Sequence, residues 1–194
     1  MKNNKKIIVL KDDDIFGKGA NRVCYLHPVN ANSCIKIPKK NKQSIKATLR
    51  EIKYYKYYEK KGAHFDSISK FFGEIETNQG AGYVFELFRD YDGSISKSLR
   101  HYLDQKLYSD LLDNKLVELY YDLIKNRIMV SDLNLINILV VKKSEVSIAL
   151  KMIDGIGNVD GIKVCDYSSL FFKMKIKRKF KRLFLRNGYS VSQL

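Results

Sequence analysis

Cysteine is scarce in this chain. Cys24, Cys34 and Cys165 are odd in number, and no two share a spacing used by metal sites. That excludes a disulfide framework and a zinc centre, and it points to a reducing compartment. Cys24 and Cys34 fall in alternating apolar runs and read as small core residues. Long apolar runs are missing too. The opening MKNNKKIIVLKDDD is apolar only from Ile7 to Leu10, too short for a signal peptide or a membrane span. The expected location is cytoplasmic, with peripheral contact at the inner face of a membrane left open. There is no internal repeat and no low-complexity linker. Acids are the last deficit: 21 Asp and Glu stand against 36 Lys and Arg, a net charge of +15 over 194 residues. Such a field favours nucleotides, nucleic acid, phosphorylated lipids or an acidic protein, or it serves solubility alone. A hydrophobic content of 45% with 29% charged residues is that of a folded globular chain, long enough for one core or two small lobes.

What is present has an order. Residues 7–37 read as strands, with a Gly-x-Gly turn in DIFGKGANRVCYLHP, a turn at VNAN and a short strand SCIKIP ended by Pro38. A helix is predicted from about Gln43 to Lys61, with Ile45, Leu49, Ile52 and Tyr55 as its apolar stripe and Gly62 as its stop. ISKFFGEIET and GYVFELF read as two more strands joined by a hairpin turn. After Phe88 the pattern turns helical. DYDGSISKSLRHYL links into a short helix, and Leu107 to Lys125 is amphipathic, with Leu112, Leu116, Leu119 and Leu123 on one side. NILVV and SIALKMI form a hairpin, DGIGN follows as a loop, and the tail from about Asp166 to Asn187 is helical and basic. The fold class is α+β in two lobes: 1–88, strand-rich with one helix, and 89–194, mainly helical with a basic tail helix. A cleft is expected at their junction, near residues 86–93.

One stretch asks for chemistry. MVSDLNLINILV carries one Asp and two Asn inside an apolar run. Phosphoryl transfer needs a loop over the phosphates, a cation on them, oxygen ligands for Mg2+ and a carboxylate that orients the acceptor. Asp132 and Asn137, five apart, put a carboxylate and an amide on one side of a loop. A pair at that spacing means little alone. Its context is better, because the hairpin that follows returns the chain to Asp154 and makes Asn137 and Asp154 neighbours, a physical basis for a joint Mg2+ site. Gly17 and Gly19 suit either an ordinary hairpin turn or a close approach of backbone N–H groups to phosphate. Lys36 interrupts SCIKI, and Glu51 lies at the edge of the stripe on the next helix. If the two pair, the ammonium is aimed at phosphate oxygens.

The ordered set of Gly-x-Gly, Lys36 in CIKI, Glu51 in a helix, ELF at the lobe junction, Asp132-x4-Asn137 and Asp154-Gly resembles a small protein-kinase-like fold over about residues 10–170. More closely, GKGANRVCYLHPVNANSCIKI, REIKYYKYY, SDLNLINILV and IDGIGN resemble the family of the PhoP regulatory network protein YrbL, kinase-like proteins linked to a bacterial system that responds to Mg2+ and envelope stress. The resemblance implies ATP and Mg2+ as cofactors and a two-lobed fold with a reduced C-terminal lobe. It implies that Lys36 holds the α- and β-phosphates, Glu51 orients Lys36, and Asp132 is the catalytic base. Asn137 and Asp154 would hold the metal, Gly17 and Gly19 would lie over the phosphates, and the backbone of Glu86 to Phe88 would bind the adenine edge. The chain departs from the kinase pattern in several places. Val130 and Ser131 replace His and Arg at the head of the catalytic loop. Arg22 stands where a third loop glycine would be, and Gly155 and Ile156 where Phe-Gly would follow. With 40 residues after Asp154, the usual peptide platform has no room, so the expected acceptor is a small molecule, lipid or saccharide.

The tail segment Phe171 to Arg186 has eight Lys or Arg and no acid, with Phe172, Ile176, Phe180, Leu183 and Phe184 on one helical side. It suits packing on the lower lobe, an anionic membrane surface, or an acidic protein; the apolar side makes nucleic acid the least attractive partner. Three functions therefore stand beside one another: a phosphotransferase acting on a non-peptide acceptor, a catalytically idle kinase-like module that signals through its tail, and a basic interaction protein with no nucleotide site, in which Lys36 and Glu51 never meet.

Overall fold

Apolar and β-branched residues alternate early in the chain, and the computed structural model, which describes residues 7–107, 110–160 and 164–187, has strands there. β1 (Ile15–Lys18), β2 (Arg22–Leu26) and β3 (Ser33–Pro38) precede α1 (Lys42–Lys60), and β4 (Phe71–Thr77) and β5 (Gly80–Glu86) follow it. The five strands form one antiparallel sheet in the order β1-β2-β3-β5-β4. Leu10, Tyr25, Ile35, Ile37 and Val84 make a core on it. The expected strand at 7–10 is not there. Ile8 makes a single parallel bridge to Thr77, and the Asn78 amide takes over at Leu10, accepting from its N–H at 2.9 Å and donating to its carbonyl at 3.0 Å. A side chain at a hairpin tip thus satisfies backbone groups that a strand partner would otherwise serve.

α1 runs where its periodicity puts it and stops at Gly62, whose φ of +69° suits a glycine. Its inward face is different from the expected stripe. Ile45 and Leu49 are 43% and 51% exposed, while Ser44, Thr48, Glu51, Ile52 and Tyr55 are buried. Apolarity alone mislocated the face, because the buried side carries three polar residues.

The later chain holds β6 (Lys97–Ser98), α2 (Leu99–Asp104), α3 (Asp110–Lys125), β7 (Ile138–Lys142), β8 (Ile148–Met152), α4 (Val164–Tyr167) and α5 (Ser169–Arg186). Residues 108 and 109 of the predicted amphipathic helix lie outside the described residues. The Ser98 hydroxyl caps α2 by accepting from the His101 N–H at 3.4 Å. Leu112, Leu116, Leu119 and Leu123 of α3 are buried as their spacing predicts, and so are Phe172, Ile176, Phe180, Leu183 and Phe184 of α5. The Tyr120 and Phe180 rings meet edge to face, 5.2 Å between centroids. β6, β7 and β8 form a second antiparallel sheet.

The architecture is α+β. Two compact units are formed, one from 1–53 and 70–87, the other from 54–69 and 88–194. The last turns of α1 and the segment after it thus belong with the helical unit rather than with the strands. Among the described residues no helix is long and apolar enough to cross a membrane.

Candidate functional site

Lys36 lies in β3, opposite Cys24 of β2 and Tyr83 of β5. A lysine inside a strand usually reaches solvent. Here β3 has neighbours on both sides, and Lys36 is only 5% exposed. Its ammonium stands 4.3 Å from the centroid of the Phe85 ring. Glu51, expected at the edge of a stripe, is 4% exposed on the inward face of α1. A buried carboxylate needs cationic company. Arg22 supplies it: Nη1 donates to Glu51 Oε2 at 2.6 Å, with both side chains buried. Arg22, which had stood only for a missing loop glycine, is therefore turned inward as a second cation beside Lys36 in the same unit. Sequence reasoning missed that role, although a strand arginine among Val23, Cys24 and Tyr25 was its signal.

Gly17 pairs across the β1–β2 hairpin with Cys24. The Gly19 N–H donates to the Arg22 carbonyl at 2.9 Å, so that N–H closes the turn. Glu86 ends β5, with its N–H on the Lys70 carbonyl at 2.9 Å, and its carboxylate accepts from the Lys70 N–H at 3.2 Å. Phe88, in the other unit, is buried, and its carbonyl accepts from the Ser96 N–H at 3.1 Å.

The second unit brings Asp132, Asn137 and Asp154 to one loop pair. Asn137 Nδ2 donates to Asp132 Oδ2 at 3.0 Å and to the Asp132 carbonyl at 3.2 Å. Asn137 also accepts, through its carbonyl, the N–H of Ile153 at 3.0 Å. The hairpin register, Ile138 opposite Met152, then sets Asp154 one residue beyond that bond. A second rung ties the loops together. Val130 bridges Ile156, the Ser131 N–H and hydroxyl donate to the Gly155 carbonyl at 2.7 and 2.9 Å, and the Gly157 N–H donates to the Met129 carbonyl at 2.7 Å. Gly155 has φ +74°, and a Cβ there would lie 2.9 Å from the Asp132 Cβ and 3.0 Å from its carbonyl oxygen. So Val130 and Ser131, the replacements for His and Arg, have their own work: the valine is fully buried and the serine clips the two loops.

Two carboxylates and an amide are hard oxygen donors of the kind Mg2+ takes, and one or two protein ligands suffice for it. With Nδ2 committed to Asp132, Asn137 keeps Oδ1 as its ligating end. Among the described residues no group of three or more His, Cys, Asp or Glu side chains is placed to hold a metal ion.

One element of the site was not foreseen. Lys179 of α5 donates to the Ser131 carbonyl at 2.6 Å, and Lys175 to Asn158 Oδ1 at 2.9 Å and to Asp160. The basic side of the tail is thereby fastened to the Asp132 loop. The spacing 175, 179, 182, 186 is one helical stripe and was its legible signal.

Comparison with known proteins agrees with the residue-level resemblance. The protein YrbL of Escherichia coli (strain K12), described as uncharacterized, is 30% identical over 190 residues, covering 96% of this chain and 90% of that protein. YrbL of Shigella flexneri matches to the same extent. The family described as PhoP regulatory network protein YrbL matches residues 8–187. With nearly the whole of both chains aligned, this chain belongs to the YrbL family of PhoP regulatory network proteins.

Proposed function

We propose that this protein is a kinase-like ATP- and Mg2+-binding phosphotransferase acting on a non-peptide acceptor within the PhoP-linked regulatory network of its family. The observation that carries the reading is the meeting of Asp132, Asn137 and Asp154 on one hydrogen-bonded loop pair. An idle module has no need to keep a carboxylate oriented by an amide beside a second carboxylate.

Lys36 holds the α- and β-phosphates, and the buried Arg22–Glu51 pair fixes the ground on which it stands. The β1–β2 turn with Gly17 and Gly19 covers the phosphates, and the backbone from Glu86 to Phe88 takes the adenine edge. Asn137 and Asp154 hold Mg2+, which when bound neutralises charge on the transferring phosphoryl group. Asp132 orients the acceptor hydroxyl and takes its proton.

The test is thermal stability with and without Mg2+ and ATP, beside the Asp154→Asn variant. Ligand at about 100 times its dissociation constant adds roughly 2.7 kcal/mol, or roughly 5–10 °C for a chain of this length. The expected rise needs Mg2+ and vanishes in the variant. No rise at millimolar ATP would end the nucleotide reading. ATP turnover that is equal in wild type and Asp132→Asn would leave nucleotide binding and remove the phosphotransferase.

A further inference from the structure

The loop that carries Asp132 is one wall of a cavity of about 390 Å3, and α5 is another. The walls include Ser131, Asp132, Arg100, Lys179, Arg182 and Arg186. One carboxylate thus faces four cations. Arg100 is shared with Asp104, 3.6 Å away at the surface. Lys179 has the Ser131 carbonyl. Among the described residues no acid makes an ion pair with Lys179, Arg182 or Arg186. Lys179 is half-buried, and burial first, then Lys175, push its ammonium below the ordinary lysine value while Asp132 pulls the other way. The cavity is therefore short of negative charge. Helix geometry built it so. Lys179, Arg182 and Arg186 run beside the stripe of Ile176, Phe180 and Leu183 that is buried in the core, and this fixes the direction in which the cations face.

We propose that this cavity binds the phosphate-bearing part of the acceptor, so that the compound phosphorylated is a hydroxyl compound that already carries a phosphomonoester. Arginine forks match phosphate oxygens two at a time. Arg182 and Arg186 hold that group, Lys179 adds its charge, and a hydroxyl of the same molecule meets Asp132. This rests on the phosphotransferase reading for the donor. A bond forms between the acceptor oxygen and the γ-phosphorus of the nucleoside triphosphate. The bond from that phosphorus to the bridging oxygen breaks, its electron pair leaves with the nucleoside diphosphate, and the hydroxyl proton passes to Asp132. The phosphomonoester has two sources, a free metabolite or a lipid headgroup.

Both are tested on the full chain without nucleotide, at fixed ionic strength because exposed charges are screened. Binding of glycerol 3-phosphate is compared with that of glycerol by titration calorimetry, and sedimentation is measured with vesicles of phosphatidylcholine with and without phosphatidic acid. The proteins are wild type, Arg182→Gln/Arg186→Gln, and Lys36→Met. Both arginines are exposed, and circular dichroism checks that the variant folds. The expected result is binding of the phosphorylated probe alone, weakened at least about tenfold by the double variant and unchanged by Lys36→Met. Binding to phosphatidic acid vesicles alone, lost in the double variant, assigns the headgroup source. No binding in either arm overturns the site, and so does binding that falls with Lys36→Met while surviving the double variant. Because nucleotide is absent, a failure of the Mg2+–ATP test leaves this measurement standing and removes only the acceptor role.

Discussion

Replacing Gly155 with alanine separates two costs that usually arrive together. At φ +74° an L-residue sits in the left-handed region, which costs about 1–2 kcal/mol. The new Cβ also meets Asp132, at 2.9 Å from its Cβ, 3.0 Å from its carbonyl oxygen and 3.1 Å from its nitrogen. Backbone cannot swing away as a side-chain tip can, and overpacking of this kind costs about 1–3 kcal/mol. The total is about 2–5 kcal/mol, or a fall in Tm of roughly 4–20 °C at this chain length. Gly62 provides the control. Its φ is +69° and a Cβ there meets nothing within 4 Å, so Gly62→Ala incurs only the backbone part, about 1–2 kcal/mol. Both glycines belong to the same unit, so one unfolding transition reports on both. The assay is thermal or urea unfolding of the two variants beside wild type. Equal losses would refute the reasoning, because they would mean that Asp132 does not stand against the Gly155 backbone.

Other outcomes follow from the buried groups. Arg22→Leu or Glu51→Leu alone leaves one charge buried and should cost about 3–5 kcal/mol, while the double variant should cost clearly less than the sum, as read from urea midpoints in a double-mutant cycle. Burial, ahead of other causes, pushes the Cys34 thiol up to about 12 from 9.0. An acid with a raised folded pKa leaves the unfolded chain with fewer protons between those values, so stability is full below about pH 9 and falls as pH rises, by at most about 1.4 kcal/mol per pH unit. Cys34→Ser should flatten that slope. Phe180→Ala, at a fully buried site against Tyr120, should cost about 3–5 kcal/mol, whereas exposed Lys181→Ala should stay within about 0.5 kcal/mol; similar small losses for both would mean that α5 is not packed.

The legible parts of this chain were those where one physical rule dominates. Leu112, Leu116, Leu119 and Leu123 repeat at helical spacing with nothing to compete, and all four are buried. The hairpin from Ile138 to Met152 returns the chain so that the Ile153 N–H meets the Asn137 carbonyl and Asp154 follows next, an adjacency that the hairpin alone made readable. The inward face of α1 could not be read by the same rule. Ser44, Thr48 and Glu51 are polar yet inward, because Glu51 meets a cation from a strand 29 residues earlier in the chain. Nothing local to the helix encodes that partner. The opening strand failed for a related reason: Asn78, 68 residues beyond Leu10, took the backbone groups. In the tail the apolar stripe was visible, but it suited packing, a membrane surface or an acidic partner alike; in the structure its residues are buried. Which way the neighbouring cations faced depended on where the Asp132 loop ran.

Helix α5 is read twice, once by the core through Ile176, Phe180 and Leu183 and once by the Asp132 loop through Lys179. Inserting or deleting a single residue within it would turn everything downstream by about 100°, moving arginines toward the core and phenylalanines toward water in one step. Substitution is gentler, since an exposed arginine can change without disturbing its buried neighbours. Variation in this segment should therefore run through exchanges at constant length, and a relative with a tail helix one residue longer or shorter should carry the compensating change elsewhere in the same helix.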